Sequence, residues 1–204
     1  MIAIQLLKKE LMGRPREFDI DRAVEISLDL FWRNGYNGTS LTNLTNAMGI
    51  TPPSFYFAFG SKEKLFQLVF NRYVTEHFAF FKEALSQSTA RSIVERLLYG
   101  FADTFTNGKH PSGCLLINSS LPCSDDADPI RRKLAEGRDE IRKELCSRLK
   151  KAKSSGDLPE EADPSALARY VLMLGWGMAI EAQSGASRKE LYRTVIVALD
   201  SWPK

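Results

Sequence analysis

Signals for β-structure are scarce in this chain. Alternating runs of Val, Ile and Thr between turn residues are missing, while apolar residues recur at spacings of three and four, so the expected fold class is all-α. Long hydrophobic runs are missing too. The longest, Tyr170 to Ile180, lies between Arg169 and Glu181 and falls well short of the roughly 20 residues a membrane-spanning helix needs. With only three cysteines, Cys114, Cys123 and Cys146, irregularly spaced, neither a disulfide framework nor a four-ligand zinc site is supported, and a reducing compartment fits. The two histidines, His77 and His110, lie apart with no ligand-type residue at metal spacing, so neither metal nor cofactor is expected. No activated nucleophile or acid–base pair points to an enzyme. At the start, Lys8 and Lys9 follow the short apolar run instead of preceding it, unlike a secretory signal, and a cytoplasmic location is expected.

The composition, 44% hydrophobic and 26% charged, is that of a folded globular chain, and its formal charge of +3 is too mild to name a partner. Distribution says more. From Asn34 to Ser61 there is no charged residue, yet the stretch is rich in Thr, Asn, Ser, Gly and aromatics. A first helix is predicted from near Asp19 to Gly35, and a second from Thr39 as cap to Gly49. A third has Thr51 as cap and Pro52 in its first turn, and ends at Gly60. Ser61 then caps a long fourth helix to about Ser86. Five more follow, centred on Ile93 to Phe105, Cys114 to Leu121, Pro129 to Lys153, Pro164 to Gln183, and the segment after Ser187. The architecture expected is an N-terminal three-helix unit at 13–60 packed on a C-terminal bundle at 61–204, about nine helices in all. Residues 1–11 are expected to be an extension, disordered or translated from upstream of a true start at Met12.

Two short helices joined by a tight glycine turn, the second with an exposed polar face, form a helix-turn-helix. Phe55 and Phe59 are four apart and point together into a core, which leaves Ser54, Tyr56, Phe57 and Ala58 for another surface. A bare helix of this kind fits the major groove of duplex DNA. Hydroxyls and free backbone N–H groups at helix starts bind phosphate without formal charge, as Thr39, Ser40 and Thr51 could do here. Lys62 adds a phosphate charge, and Arg14 and Arg16 form a basic arm able to reach a minor groove.

The run Thr39-Ser40-Leu41-Thr42-Asn43-Leu44-Thr45-Asn46-Ala47-Met48-Gly49-Ile50-Thr51-Pro52-Pro53-Ser54-Phe55-Tyr56-Phe57-Ala58-Phe59-Gly60-Ser61-Lys62-Glu63-Lys64-Leu65-Phe66, preceded by Phe31-Trp32-Arg33-Asn34-Gly35-Tyr36, resembles the tetracycline-repressor-like (TetR) family of bacterial transcription regulators. The resemblance covers about Gly13 to Arg72. It implies a homodimer that binds a near-palindromic operator, usually repressing, and that is released by a small molecule held in the C-terminal half. Carried over by position, Thr51, Pro53, Ser54, Tyr56 and Phe57 would contact DNA, with Tyr56 and Lys62 on phosphates. Ala58 stands where many members have His, so methyl contacts to thymine from Phe57 or Ala58 become the expected means of readout.

Candidate residues for an effector pocket are Phe101, Phe105, Cys114, Leu116, Ile117, Met173 and Trp176, which suggest an apolar or aromatic ligand. Cys114 has two readings, a small buried apolar residue or a thiol sensing oxidants or electrophiles. No Lys, Arg or second Cys adjoins it in sequence to lower its pKa. Leu174, Met178, Leu191, Val195, Leu199 and Trp202 give the last two helices an apolar face assigned to the dimer interface. Gly175-Trp176-Gly177 reads as a site of close helix packing. The alternatives are an all-helical small-molecule-binding protein without DNA, a thiol-based regulator acting through Cys114, and a helix-turn-helix scaffold.

Overall fold

The computed structural model describes residues 19–120 and 128–203. The expectations for residues 1–11, Met12, Arg14, Arg16 and Cys123 lie outside them. Among the described residues there are ten helices and no strand.

Helix α1 (Ile20–Gly38) begins where the Asp19 carboxylate accepts from the Arg22 N–H at 3.0 Å, and it buries Ala23, Val24, Ser27, Phe31 and Trp32. Gly35 interrupts it with φ 70°, and a Cβ there would stand 2.4 Å from the Asn118 carbonyl oxygen. Only glycine satisfies both the left-handed backbone and that close approach. Helix α2 (Leu41–Met48) is capped by Ser40, not by Thr39. The Ser40 hydroxyl accepts from the Asn43 N–H and the Asn43 side chain accepts from the Ser40 N–H, at 3.0 and 2.9 Å. Left-handed Gly49 ends α2, and Thr51 with Pro52 opens α3 (Pro52–Phe59), which stops at Gly60.

Ser61 caps α4 (Lys62–His77), accepting from the Lys64 N–H at 3.1 Å. The single long helix expected to run on to Ser86 is divided at Phe78 (φ −115°, ψ 15°), after which α5 (Ala79–Leu85) follows. The division lets Phe78 and Phe80 turn onto α6 (Ala90–Phe105), where Phe80 and Phe101 meet edge to face at 5.3 Å. Short α7 (Leu115–Asn118) follows, then α8 (Asp128–Ser154), α9 (Pro164–Gln183) and α10 (Arg188–Asp200). Asp163 and Ser187 cap the last two as expected.

Helix α9 packs on both α6 and α8, and α10 lies against α6. Helix α1 joins the front unit to this bundle through α4 and α7. The seam is hydrogen-bonded in both directions: Trp32 Nε1–H donates to the Gly113 carbonyl at 3.1 Å, and the Asn118 side-chain amide donates to the Trp32 carbonyl at 2.6 Å. Trp32 itself is buried, so this seam ties the front unit's core to that of the bundle.

Candidate nucleic-acid interface and inner cavity

Helix α3 is barely two turns long and makes its tertiary attachment through Phe55 and Phe59, both buried. The opposite face is free. Phe57 is 95% exposed and Tyr56 53%, with Ser54, Pro53 and Thr51 exposed beside them. The Thr51 hydroxyl makes no cap hydrogen bond and lies 3.0 Å from that of Ser54, so the two hydroxyls meet at the start of the helix. Ser40 is also exposed, at the start of α2. Thr39 is not: it is fully buried, its hydroxyl donating to the Gly35 carbonyl at 2.9 Å, and its role is to close the chain back on α1. That is a correction to its expected place on a DNA-facing surface.

Lys62 is half-buried and its ammonium lies 4.2 Å above the Tyr36 ring; burial pulls its pKa below the ordinary lysine value. Tyr36 in turn stacks on Phe31 and meets Phe66 edge to face. Exposed residues that sequence reasoning passed over are Thr42 and Asn46 on the outer side of α2, and Lys64, whose stem lies against Gly60. Their signal was available: on α2 they occupy the positions left over once Leu41, Leu44 and Met48 are turned inward.

In the bundle, Phe101, Phe105, Cys114, Leu116, Ile117 and Trp176 line one inner cavity, together with Phe78, Ile141, Leu172 and Arg138. Its volume is about 10 Å³, room for one water. Met173, expected with them, is 59% exposed, because the turn of α9 carries it off the buried face that holds Leu172. Arg138, far away in sequence, is brought to this wall and was not foreseen.

Two family descriptions match the chain. Residues 24–69 match bacterial regulatory proteins of the tetR family, and residues 91–196 match the tetracyclin repressor-like C-terminal domain. The HTH-type transcriptional repressor ComR of Escherichia coli (strain K12) is 32% identical over 199 residues, 96% of this chain and 94% of ComR. The chain belongs to the TetR family. Among solved structures, the TetR family regulator CifR, as a cysteine mutant complexed with 26-base-pair operator DNA, is similar with TM-score 0.86 and 35% identity over 93% of this chain and all of that one. A TetR regulator from Rhodococcus sp. RHA1 is 40% identical, covering 90% of this chain and 98% of its own, with TM-score 0.62. This TetR-family chain is therefore a DNA-binding transcriptional regulator.

In this TetR-family chain the position of the thiol separates its two sequence readings, and the positions of the last two helices alter the expected dimer face. Cys114 is buried, the Tyr73 hydroxyl donates to its Sγ at 3.3 Å, and burial pushes its pKa up. Such a thiol is protonated and packed, which matches the first of the two sequence readings. Met178, Leu191, Val195, Leu199 and Trp202 are buried within the monomer and Leu174 is partly buried, so this apolar face belongs to the core and is not free for a partner. The exposed apolar residues on the last two helices are Tyr170, Met173 and Ile180 on α9, and Ile196 and Val197 on α10. Gly175 does mark close packing, since a Cβ there would stand 2.6 Å from the Phe101 ring, whereas Gly177 has open space around it. Among the described residues no group of side chains could hold a metal ion, and no helix is long and apolar enough to cross a membrane.

Proposed function

We propose that this regulator binds a near-palindromic operator as a homodimer, usually to repress, and is released when a small apolar or aromatic effector fills the inner cavity. The observation that carries the DNA reading is the geometry of α3: buried Phe55 and Phe59 fix a two-turn helix whose outer face holds Ser54, Tyr56 and a nearly fully exposed Phe57. Thr51, Pro53, Ser54 and Phe57 would enter the major groove, with Tyr56, Ser40 and Lys62 on flanking phosphates and Arg14 and Arg16 reaching a minor groove. Because Phe57 cannot donate or accept a hydrogen bond, its readout would run through thymine methyl groups. The DNA-binding unit would be residues 13–60 and the effector and dimer unit 61–204, in the cytoplasm where the operator is.

The homodimer would form on the outer faces of α9 and α10. Tyr170, Met173, Gly177 and Ile180 recur at helical spacing on the exposed side of α9, and Ile196 and Val197 are exposed apolar residues of α10 that would join them in the interface. A helix apolar on both sides is one that a further partner covers. Two-fold pairing would set the reading helices about 34–36 Å apart, one turn of DNA.

Helix α4 supplies the coupling. Its first residues pack against the helix-turn-helix and its end, at Phe78, forms part of the cavity wall. A cavity of about 10 Å³ cannot admit an effector without moving that wall. Shifting Phe78 would turn α4 and misplace both reading heads, for a coupling of about 1–3 kcal/mol. The test is a mobility shift with DNA flanking the regulator's own gene at two salt concentrations. One saturable, salt-sensitive shift, lost in Tyr56→Ala with the fold intact, is expected. Unchanged binding by that variant would refute the assignment of α3.

A further inference from the structure

Helix α8 carries one charge on its buried stripe. Ile130, Leu134, Arg138, Ile141, Leu145 and Leu149 succeed one another at spacings of three or four, and only Arg138 is not apolar. It is half-buried and lines the inner cavity, with its Nη1 donating to the Ser120 hydroxyl at 2.5 Å. Asp139, its neighbour in sequence, is paired with Arg142 and Lys143 instead. Among the described residues this half-buried guanidinium is paired with a hydroxyl and with no carboxylate, and a partly desolvated charge is costly until a counter-charge meets it. An apolar residue would complete the stripe at no such cost.

We propose that the inner cavity takes an aromatic or compact apolar carboxylate, its charge paired with Arg138 and its body against Phe78, Phe101, Phe105 and Trp176. The inference rests on the effector reading above and names the chemistry of that same site. A guanidinium presents two parallel N–H donors that match a carboxylate, and pairing strengthens in an apolar surround. A single cation suits a monoanion. Among the described residues Arg138 is the one charged side chain lining the cavity, one too few for a dianionic phosphate. Phe101 and Phe105 are buried and stacked on each other at 5.6 Å, so the body of the ligand would enter by displacing Phe78 and lie against the edges of these rings and the half-buried Trp176.

Benzoate, trans-cinnamate and 2-naphthoate, each with its neutral amide, are the probes, titrated into the full-length protein by calorimetry. At least one acid should bind, and its amide should bind about tenfold or more weakly, the usual worth of one charge-assisted pair. Arg138→Gln should lower affinity for the acid by about the same factor and leave the amide unchanged, while Arg138→Lys keeps part of the preference. No acid binding with Kd below about 1 mM, an amide bound as tightly as its acid, or an Arg138→Gln protein that binds the acid like its parent would each overturn the proposal. Should Arg138→Gln fail to fold, the acid-to-amide ratio in the parent and in Arg138→Lys decides. Operator binding is measured in parallel: its absence in the parent would defeat the DNA reading alone, because the acid–amide comparison does not pass through DNA.

Discussion

The Phe57 ring stands in water in the unbound molecule, an arrangement that contributes nothing to folding and acquires a purpose only against another surface. Phe57→Ala is therefore expected to leave the melting temperature nearly unchanged, within about 0.5 kcal/mol of stability. It should cut the preference for the natural operator over a thymine-to-uracil version by about fourfold, the worth of one buried methyl group. Competition shift assays with the two DNAs read this out. Gly35 makes the opposite case, a residue on which folding depends. Gly35→Ala places a Cβ 2.4 Å from the Asn118 carbonyl oxygen and forces an L-residue into φ 70°, so about 2 kcal/mol or more of stability should be lost. Chemical denaturation detects that change. Restored stability with a second substitution at Asn118 would not be expected, because the clash is with its backbone.

At the scale of helices, legibility followed how locally each feature is decided. Starts at Asp19, Ser61, Asp163 and Ser187 could be read because a cap acts within one turn of itself. At Thr39-Ser40 two capable residues adjoin, and the choice fell to Ser40 because the chain needs Thr39 to close onto Gly35. Ser40→Ala should accordingly cost about 1 kcal/mol in urea unfolding. The division at Phe78 has no glycine, proline or cap to announce it; aromatic packing on α6 decides it. The reading helix was visible through Gly49, Pro52 and Gly60, whereas α9 is apolar on two sides, and periodicity alone could not say which faces inward. Arg138 was present in the pattern as a gap between Leu134 and Ile141.

The seam between α1 and the 106–114 connector adds a pH dependence. Trp32 stacks on His110 at 4.3 Å and meets His77 edge-on at 4.8 Å, and the adjoining recess holds Glu76, Asp103 and Arg188. Burial, then the nearby His110, lowers the His77 pKa to about 4. The native state thus binds this proton less readily than the unfolded chain, with its ordinary value near 6.5. Stability should be full above pH 6.5, decline as pH falls below it, and level off near 4. His77→Gln should flatten that part of the urea-unfolding profile, and an unaltered slope would exclude His77 as its source.

For the molecule as a whole, the outer face of α9 and α10 decides whether one reading head or two act on DNA. Val197 is 67% exposed, so Val197→Asp should leave the monomer's fold within about 0.5 kcal/mol of its parent. In a two-fold dimer the same substitution would enter the interface twice, placing two like charges in an apolar contact, with Arg193 one turn away able to offset only part of that cost. Sedimentation should then show a monomer where the parent sediments as a dimer. Binding to the full operator should fall to the level of a half-site, since each head retains its own contacts while losing the advantage of being held beside its twin. If Val197→Asp remained dimeric and bound the full operator normally, the pairing surface would have to lie elsewhere on the bundle. The reading heads would keep their assignment, because Phe55, Phe59 and the turn at Gly49 position α3 without reference to α9 or α10.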